Sequence, residues 1–186
     1  MKASFENKTA IGIYLTLALG ACAIIFNACR VSLPKGAKAV KPFDKERYLG
    51  KWYEIARMDF KFEKNLSNVT AEYAAGEEGM IKVKNRGFDT VKNIWKESIG
   101  KAKAVKDPQE ARLKVSFFWP FYAGYNVIAI DPDYRYALVA GNNLKYLWIL
   151  SRTPVIPSAV KDDYLKQAKA LGYKTEKLVW TSHSLQ

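Results

Sequence analysis

The chain has 186 residues, 49% hydrophobic and 13% aromatic, enough for one globular domain with a sizeable core. Its formal charge is +12 at pH 7, which calls for an anionic neighbour or serves solubility alone. Two cysteines and one histidine leave no basis for a disulfide-stapled domain or a Cys/His metal centre.

Residues 1–21 place Lys2 and Lys8 around a polar start and continue into the apolar run 11–19, too short to span a bilayer comfortably. This pattern reads as a bacterial export signal. Cys22 closes the stretch LALGAC, with Leu19 three residues before it and small Gly20 and Ala21 directly before it. The stretch resembles the lipobox of bacterial lipoproteins, whose cysteine becomes the acylated first residue. FNAC before Cys29 is the poorer match, because Asn27 is polar and Phe26 bulky, but Cys29 leaves a more polar mature start. The signal is therefore read as 1–21, alternatively 1–28, and an uncleaved apolar anchor is a further alternative. Residues 22–42, with Pro34, Gly36 and Pro42 and no periodicity, form the acylated tether of a domain spanning 43–182. Export argues against a nucleic-acid partner, as do lysines scattered along the chain rather than collected on one arm. An anionic membrane surface and a solvated basic surface without a partner remain the two readings of the charge.

Beyond the tether, short segments alternate with turn signals. Strands are expected over 52–58, 69–75, 80–87, 95–105, 113–118, 125–131, 136–140 and 146–152. GEEG at 76–79, DPQE at 107–110, DPDYR at 131–135 and GNN at 141–143 supply the turns between them. Eight strands at hairpin spacing predict an all-β, up-and-down antiparallel barrel. One helix follows, with Ser158 as its N-cap, Val160, Tyr164, Ala168 and Leu171 on one face, and Gly172 ending it. It is expected to pack outside the barrel, with KLVW at 177–180 as a last strand on a sheet edge.

In such a barrel the eighth strand ends where the first begins. Trp52 and Arg152 therefore meet at one end, where a guanidinium over an indole contributes roughly 1–2 kcal/mol. Gly50 lets the chain turn beneath them. The opposite end collects Phe60, Phe62 and Leu66 among Lys61, Glu63 and Lys64, together with Trp119, Phe121 and Tyr122 of WPFYAG. Those aromatics either form an interaction surface or fold inward over one another.

If Trp52 points inward, alternation carries Glu54 and Ala56 inside with it. The same reasoning selects Tyr73 beside Ala71, Val83 beside Ile81, and Val115 and Phe117 beside Leu113. It selects Tyr125, Val127 and Ala129 on the sixth strand, Leu138 with Tyr136 and Ala140 on the seventh, and Trp148 with Tyr146 and Leu150 on the eighth. On the fourth strand Ser98, Gly100 and Ala102 are preferred to Trp95 and Ile99. The expected ligand contacts are thus Glu54, Ala56, Tyr73, Val83, Val115, Phe117, Tyr125, Val127, Ala129, Leu138 and Trp148. Small residues among them leave room for a ligand; a filled core is the alternative.

Glu54 is the one acid of this inward set, and it must pair, protonate or meet a polar ligand group. Nothing else points to catalysis or to a cofactor: the domain has no thiol, no cluster with metal-ligand spacing and no phosphate-cradling glycine loop, and His183 lies near the chain end.

FDKERYLGKWYEIAR, with Gly50 and Trp52 as a G-x-W core, resembles the first signature of the lipocalins. YLWILSR resembles their closing strand, with Arg152 as its arginine, and a middle motif is present in weakened form near GNNLKY. LKVSFFWPFYAGYNVIAIDPDYRYALVAG is similar to the bacterial outer-membrane branch of that family. The resemblance covers roughly 43–180. It implies a calyx for a hydrophobic ligand, with fatty acids and lysophospholipids as the class. It also implies an acyl anchor in the outer membrane on its periplasmic face, since neither Ala23 nor Arg30 is the Asp associated with inner-membrane retention. A lipid-acting barrel enzyme and a structural envelope lipoprotein without a cavity are the competing functions.

Overall fold

The computed structural model describes residues 31–61 and 63–184. The expected signal, Cys22, Cys29 and Phe62 lie outside the described residues. A one-turn helix α1 (Lys45–Tyr48) leads into strands β1 (Gly50–Met58), β2 (Leu66–Ala75), β3 (Ile81–Asp89), β4 (Ile94–Ala104), β5 (Arg112–Phe118), β6 (Phe121–Ile130), β7 (Tyr136–Ala140) and β8 (Leu147–Ser151). Each strand pairs antiparallel with the next, and β8 pairs with β1, which closes an eight-stranded barrel. Helix α2 (Ser158–Ala170) packs outside, and β9 (Leu178–Trp180) adds to β1 opposite Ala56 to Met58.

Two apolar layers result. Inside lie Trp52, Tyr73, Val83, Leu113, Val127, Val139 and Leu150. Outside, Ile55, Ala56, Leu138, Ala140, Leu147 and Ile149 pack with Tyr164 and Ala168 of α2. β7 and β8 sit between the layers, which is why YALVA and LWILS are almost wholly buried and show no alternation in hydropathy. Tyr164 fixes the helix further by donating its hydroxyl to the Tyr136 carbonyl at 2.9 Å.

The double layer corrects three of the expected ligand contacts. A bulge shifts the β1–β8 register between Glu54 and Ala56, so Ala56 faces α2 and Arg57 takes the inward place. A second bulge between Val127 and Ala129 turns Ala129 to the outer layer. Leu138 is outside as well, with Tyr136 and Ala140, while Ala137 and Val139 point inward. The N-cap is corrected too: Pro157 occupies the cap position, without a side-chain cap, and Ser158 is the first helical residue.

The end where β1 starts is closed. Trp52 and Tyr48 are fully buried, and the Trp52 indole donates to the Tyr48 carbonyl at 2.9 Å. The Arg152 guanidinium lies 3.8 Å from the Trp52 ring centroid. It donates to the carbonyls of Lys51 at 2.9 Å, Arg47 at 2.7 Å and Tyr134 at 3.2 Å. Gly50 has φ +93°, and a Cβ there would stand 3.3 Å from the Arg152 Nη1, so a side chain at this turn would be strained and would crowd the guanidinium.

The segment before α1 reaches from the open end, where it lies against β6, to the closed end, where Ala39, Val40 and Phe43 pack against the inner cluster. Near the open end Ser32 donates its N–H to Asn142 Oδ1 at 3.2 Å and accepts from Asn126 Nδ2 at 3.2 Å. Further along, the Val40 N–H donates to the Val127 carbonyl, and the Phe43 N–H donates to the Gln109 carbonyl in the loop after β4.

Candidate functional site

The barrel interior has a polar floor, an apolar wall and a charged corner under the mouth. The floor is a chain of phenols: the Tyr48 and Tyr125 hydroxyls lie 2.6 Å apart, and Tyr73 donates to Tyr125 at 2.8 Å. Burial raises the pKa of all three above the ordinary phenol range, so they act as neutral donors and acceptors.

Above the floor, Val83, Val115, Phe117, Val127 and Trp148 line the wall as expected. Val115, Phe117 and Trp148 pack against the inner cluster yet are only partly buried, so solvent reaches the upper wall. Part of the reason is a short seam. The β4–β5 ladder runs only from Lys101 to Ala104 against Leu113 to Ser116, although β4 starts at Ile94. Asn85, on the same face of β3 as Val83, has a buried side-chain oxygen without a hydrogen-bond partner.

The charged corner joins Glu54 to Arg57, Thr181 and Glu63, of which the sequence placed only Glu63, and that at the open end. Arg57 is 1% exposed and donates to Glu54 Oε1 at 2.6 Å, Thr181 Oγ1 at 3.2 Å and the Glu63 carbonyl at 2.6 Å. The Thr181 hydroxyl donates to the same Glu54 oxygen at 2.6 Å. Glu63 comes down from the β1–β2 loop, accepts from the Trp148 indole at 3.1 Å and stands 3.7 Å from Arg57 Nε. That Nε is buried with no hydrogen-bond partner. Burial, and next the Glu54 charge, push the Glu63 carboxyl up to about 8. Two acids share one guanidinium in an apolar setting, so Glu63 keeps its proton at neutral pH.

Arg57 escaped the sequence reading because only the bulge turns it inward, and Glu63 was placed at the mouth without its partners because it belongs to a loop. His183, near the chain end, is held against β1: its Nε2 lies 2.7 Å from the Glu54 carbonyl oxygen and its ring packs edge-on against Tyr53. Among the described residues, no group of His, Cys, Asp or Glu has the arrangement to hold a metal ion.

The mouth loops behave in two ways. In the β1–β2 loop Phe60 turns inward, its ring centroid 5.6 Å from that of Tyr146 and 5.8 Å from that of Trp148. Together with Glu63 it roofs the wall. The β5–β6 turn instead leaves Phe118, Trp119 and Phe121 exposed. Two depressions, of about 510 and 190 Å³, lie elsewhere, around Gly76 and Met80 and around Phe43 and Pro108. None of the expected ligand contacts lines either of them.

The chain matches the lipocalin-like domain over residues 43–183. The chain belongs to the lipocalin family. This lipocalin is 51% identical over 147 residues to the outer membrane lipoprotein Blc of Citrobacter freundii, covering 79% of this chain and 83% of that one. It is 44% identical over 160 residues to the outer membrane lipoprotein Blc of Vibrio cholerae, covering 86% and 93%. Among solved structures, insecticyanin from the tobacco hornworm superposes with a TM-score of 0.66 at 20% identity, covering 83% of this lipocalin and 88% of that chain. At that identity the likeness concerns the fold alone.

Proposed function

We propose that this lipocalin is an outer-membrane-anchored carrier of single-chain amphiphiles, either fatty acids or lysophospholipids. The observation that carries the reading is the inward-facing yet partly exposed wall of Val115, Phe117 and Trp148 above a floor of phenols. Tyr73, Val83, Tyr125 and Val127 complete the tail site. An acyl chain laid along it gains about 25 cal/mol per Å² of apolar surface removed from water, which supports micromolar affinity once association entropy is subtracted. The tail displaces the Phe60 roof on entry. Glu54, held by Arg57 and Thr181, is the polar boundary of the site rather than a catalytic acid.

The head belongs at the mouth, where Lys61, Lys64, Lys92 and Lys145 are exposed in three of its loops. Anchoring follows from the lipobox at Cys22, or alternatively Cys29, after a signal of 1–21 or 1–28, with 22–42 as tether. The names of the Blc relatives support the outer membrane, as does Ala23 or Arg30 in place of the Asp of inner-membrane retention, and the periplasmic face is part of the proposal.

The test is titration of a lysophospholipid and of a neutral lipid of equal chain length into the lipid-free protein at low and high ionic strength. Tighter binding of the lysophospholipid, fading with salt toward the neutral lipid, is expected, because wet lysines are screened and the apolar wall is not. Failure to bind either lipid refutes the carrier. Equal affinities at every ionic strength refute the headgroup assignment.

A further inference from the structure

We infer that the open end of the barrel is a bilayer-docking face, on which Phe118, Trp119 and Phe121 insert among the acyl chains of an anionic phospholipid surface. The inference rests on the anchored-carrier reading and adds an orientation to it: the mouth is turned toward the membrane that holds the anchor.

Three observations converge on this end. The first is the patch itself. Phe118, Trp119 and Phe121 are 75%, 77% and 70% exposed at the tip of the β5–β6 hairpin, and Val91 in the neighbouring β3–β4 loop is 73% exposed. Three large apolar side chains on one hairpin tip form a patch rather than scattered exposure, and Val91 adds a fourth exposed apolar side chain at the same end of the barrel. A tryptophan flanked by phenylalanines suits the headgroup–acyl boundary, where an amphipathic indole rests most favourably.

The second observation is charge. Lys61, Lys64, Lys92 and Lys145 are exposed in the mouth loops, and Asp59 is the exposed acid among the described residues of those loops. A ring of cations around an apolar tip complements anionic headgroups around an apolar layer. A second copy of the chain would bring the same cations against these.

The third observation is where the chain enters the fold. Ser32 is fastened beside the patch: its N–H and the Gly124 N–H both donate to Asn142 Oδ1, and its hydroxyl donates to the Asn142 carbonyl at 3.0 Å. Gly124 lies three residues from Phe121 on the same strand, and Asn142 is in the mouth loop between β7 and β8. Ser32 is three residues beyond Cys29 and ten beyond Cys22. At about 3.5 Å per extended residue, an anchor at Cys29 holds this point within about 10 Å of the bilayer, and one at Cys22 within about 35 Å. The closed end is farther by the height of the barrel, roughly 20–25 Å for tilted strands of this length. The shorter tether keeps this side of the open end close to the lipid, the longer one allows it to be, and in both cases the aromatic patch decides the orientation. A mouth in that position receives a lipid without its tail crossing water.

The experiment uses the full acylated chain reconstituted in vesicles of phosphatidylethanolamine and phosphatidylglycerol, a fraction of them brominated at shallow acyl positions. Tryptophan quenching is compared between the wild type and Trp119→Phe, which keeps the patch apolar. A quenched emission component present in the wild type and missing from Trp119→Phe is expected, as is its reduction when phosphatidylcholine replaces phosphatidylglycerol. Identical quenching in the two proteins overturns the inference. So does sedimentation, without vesicles, of a dimer that Phe118→Ser, Trp119→Ser and Phe121→Ser together dissociate, since the patch would then belong to a second copy. The triple variant should bind lysophospholipid within about twofold of the wild type. If neither protein binds it, the carrier reading fails by itself, and the quenching still judges the docking face.

Discussion

The Trp148 indole on the barrel wall donates a hydrogen bond of 3.1 Å to Glu63 in the loop that roofs the mouth. Phe60 of the same loop packs edge-on against the Trp148 ring, so one wall residue holds both ends of the roof. The Trp148 bond by itself favours the charged carboxyl, but burial and the neighbouring Glu54 charge outweigh it, so the corner as a whole is most favourable when Glu63 carries its proton.

Stability should therefore fall as pH rises across the neutral range. The folded protein holds the Glu63 proton up to about 8, while an unfolded carboxyl releases it near its ordinary 4.5. Between those values the native state binds more protons, so its advantage is present below pH 4.5 and is lost as pH passes 8. Opening of the loop limits the loss to about 1–3 kcal/mol, since a freed Glu63 no longer bears the burial penalty. Glu54, Arg57, Trp148 and the Tyr73 phenol all bear on this carboxyl. Thermal midpoints from pH 4 to 9 should decline in the wild type and stay flatter in Glu63→Gln. Parallel curves for the two proteins would remove Glu63 as the titrating group.

Arg152→Ala should destabilise the fold by about 1–3 kcal/mol and leave ligand affinity alone. The guanidinium stacks on Trp52 and caps three carbonyls at the closed end, away from the mouth. Arg152→Lys should recover only part of the loss, because an ammonium cannot stack and serve three divergent acceptors together. Denaturant midpoints and a lipid titration separate the effects; weakened binding at an unchanged midpoint would place Arg152 in the ligand site instead.

The sequence was a good guide to this closed end and a poorer one to the wall. Gly50, Trp52 and Arg152 could be placed because strand count and antiparallel order alone bring the start of β1 to the end of β8. Tyr73, Val83, Val115, Tyr125, Val127 and Trp148 followed from simple alternation, and Phe117 packs against the inner cluster although the β5–β6 register shifts between Val115 and Phe118. Ala56 and Ala129 were misread because a bulge inserts one residue without a mark in hydropathy. Leu138 was misread because β7 is apolar on both faces, where α2 covers one and the lumen meets the other. Arg57 and the partners of Glu63 were hidden by the same bulge and by a loop whose fold no local pattern encodes.

The facing of β7 can be tested with two neighbouring residues. Leu138, fully buried under α2, should cost about 2–5 kcal/mol on truncation to Ala, with ligand affinity within about twofold of the wild type. Val139 is inside the barrel, so Val139→Phe should cut lipid affinity more than tenfold while costing about 1–3 kcal/mol. The opposite pattern would return Leu138 to the lumen.

Gly100 links wall packing to cavity size. It pairs with Val83 on the inward face of β4, and an added Cβ would meet the Ser116 carbonyl oxygen at 2.6 Å and the Phe117 ring at 2.7 Å. The carbonyl is backbone and cannot swing away, so Gly100→Ala must displace β5 locally, at a cost of about 1–3 kcal/mol. The ring can move only farther into the lumen, where it takes space from an acyl tail. Stability and lipid affinity should therefore fall together in Gly100→Ala, with the greater loss of affinity for the longer chains. Phe117→Leu in the same protein removes the ring and should restore part of the affinity, while the clash with the Ser116 carbonyl keeps most of the stability loss. A double variant whose affinity loss is the sum of the two single losses would show that Phe117 does not transmit the effect, and that Gly100 lies away from the lipid.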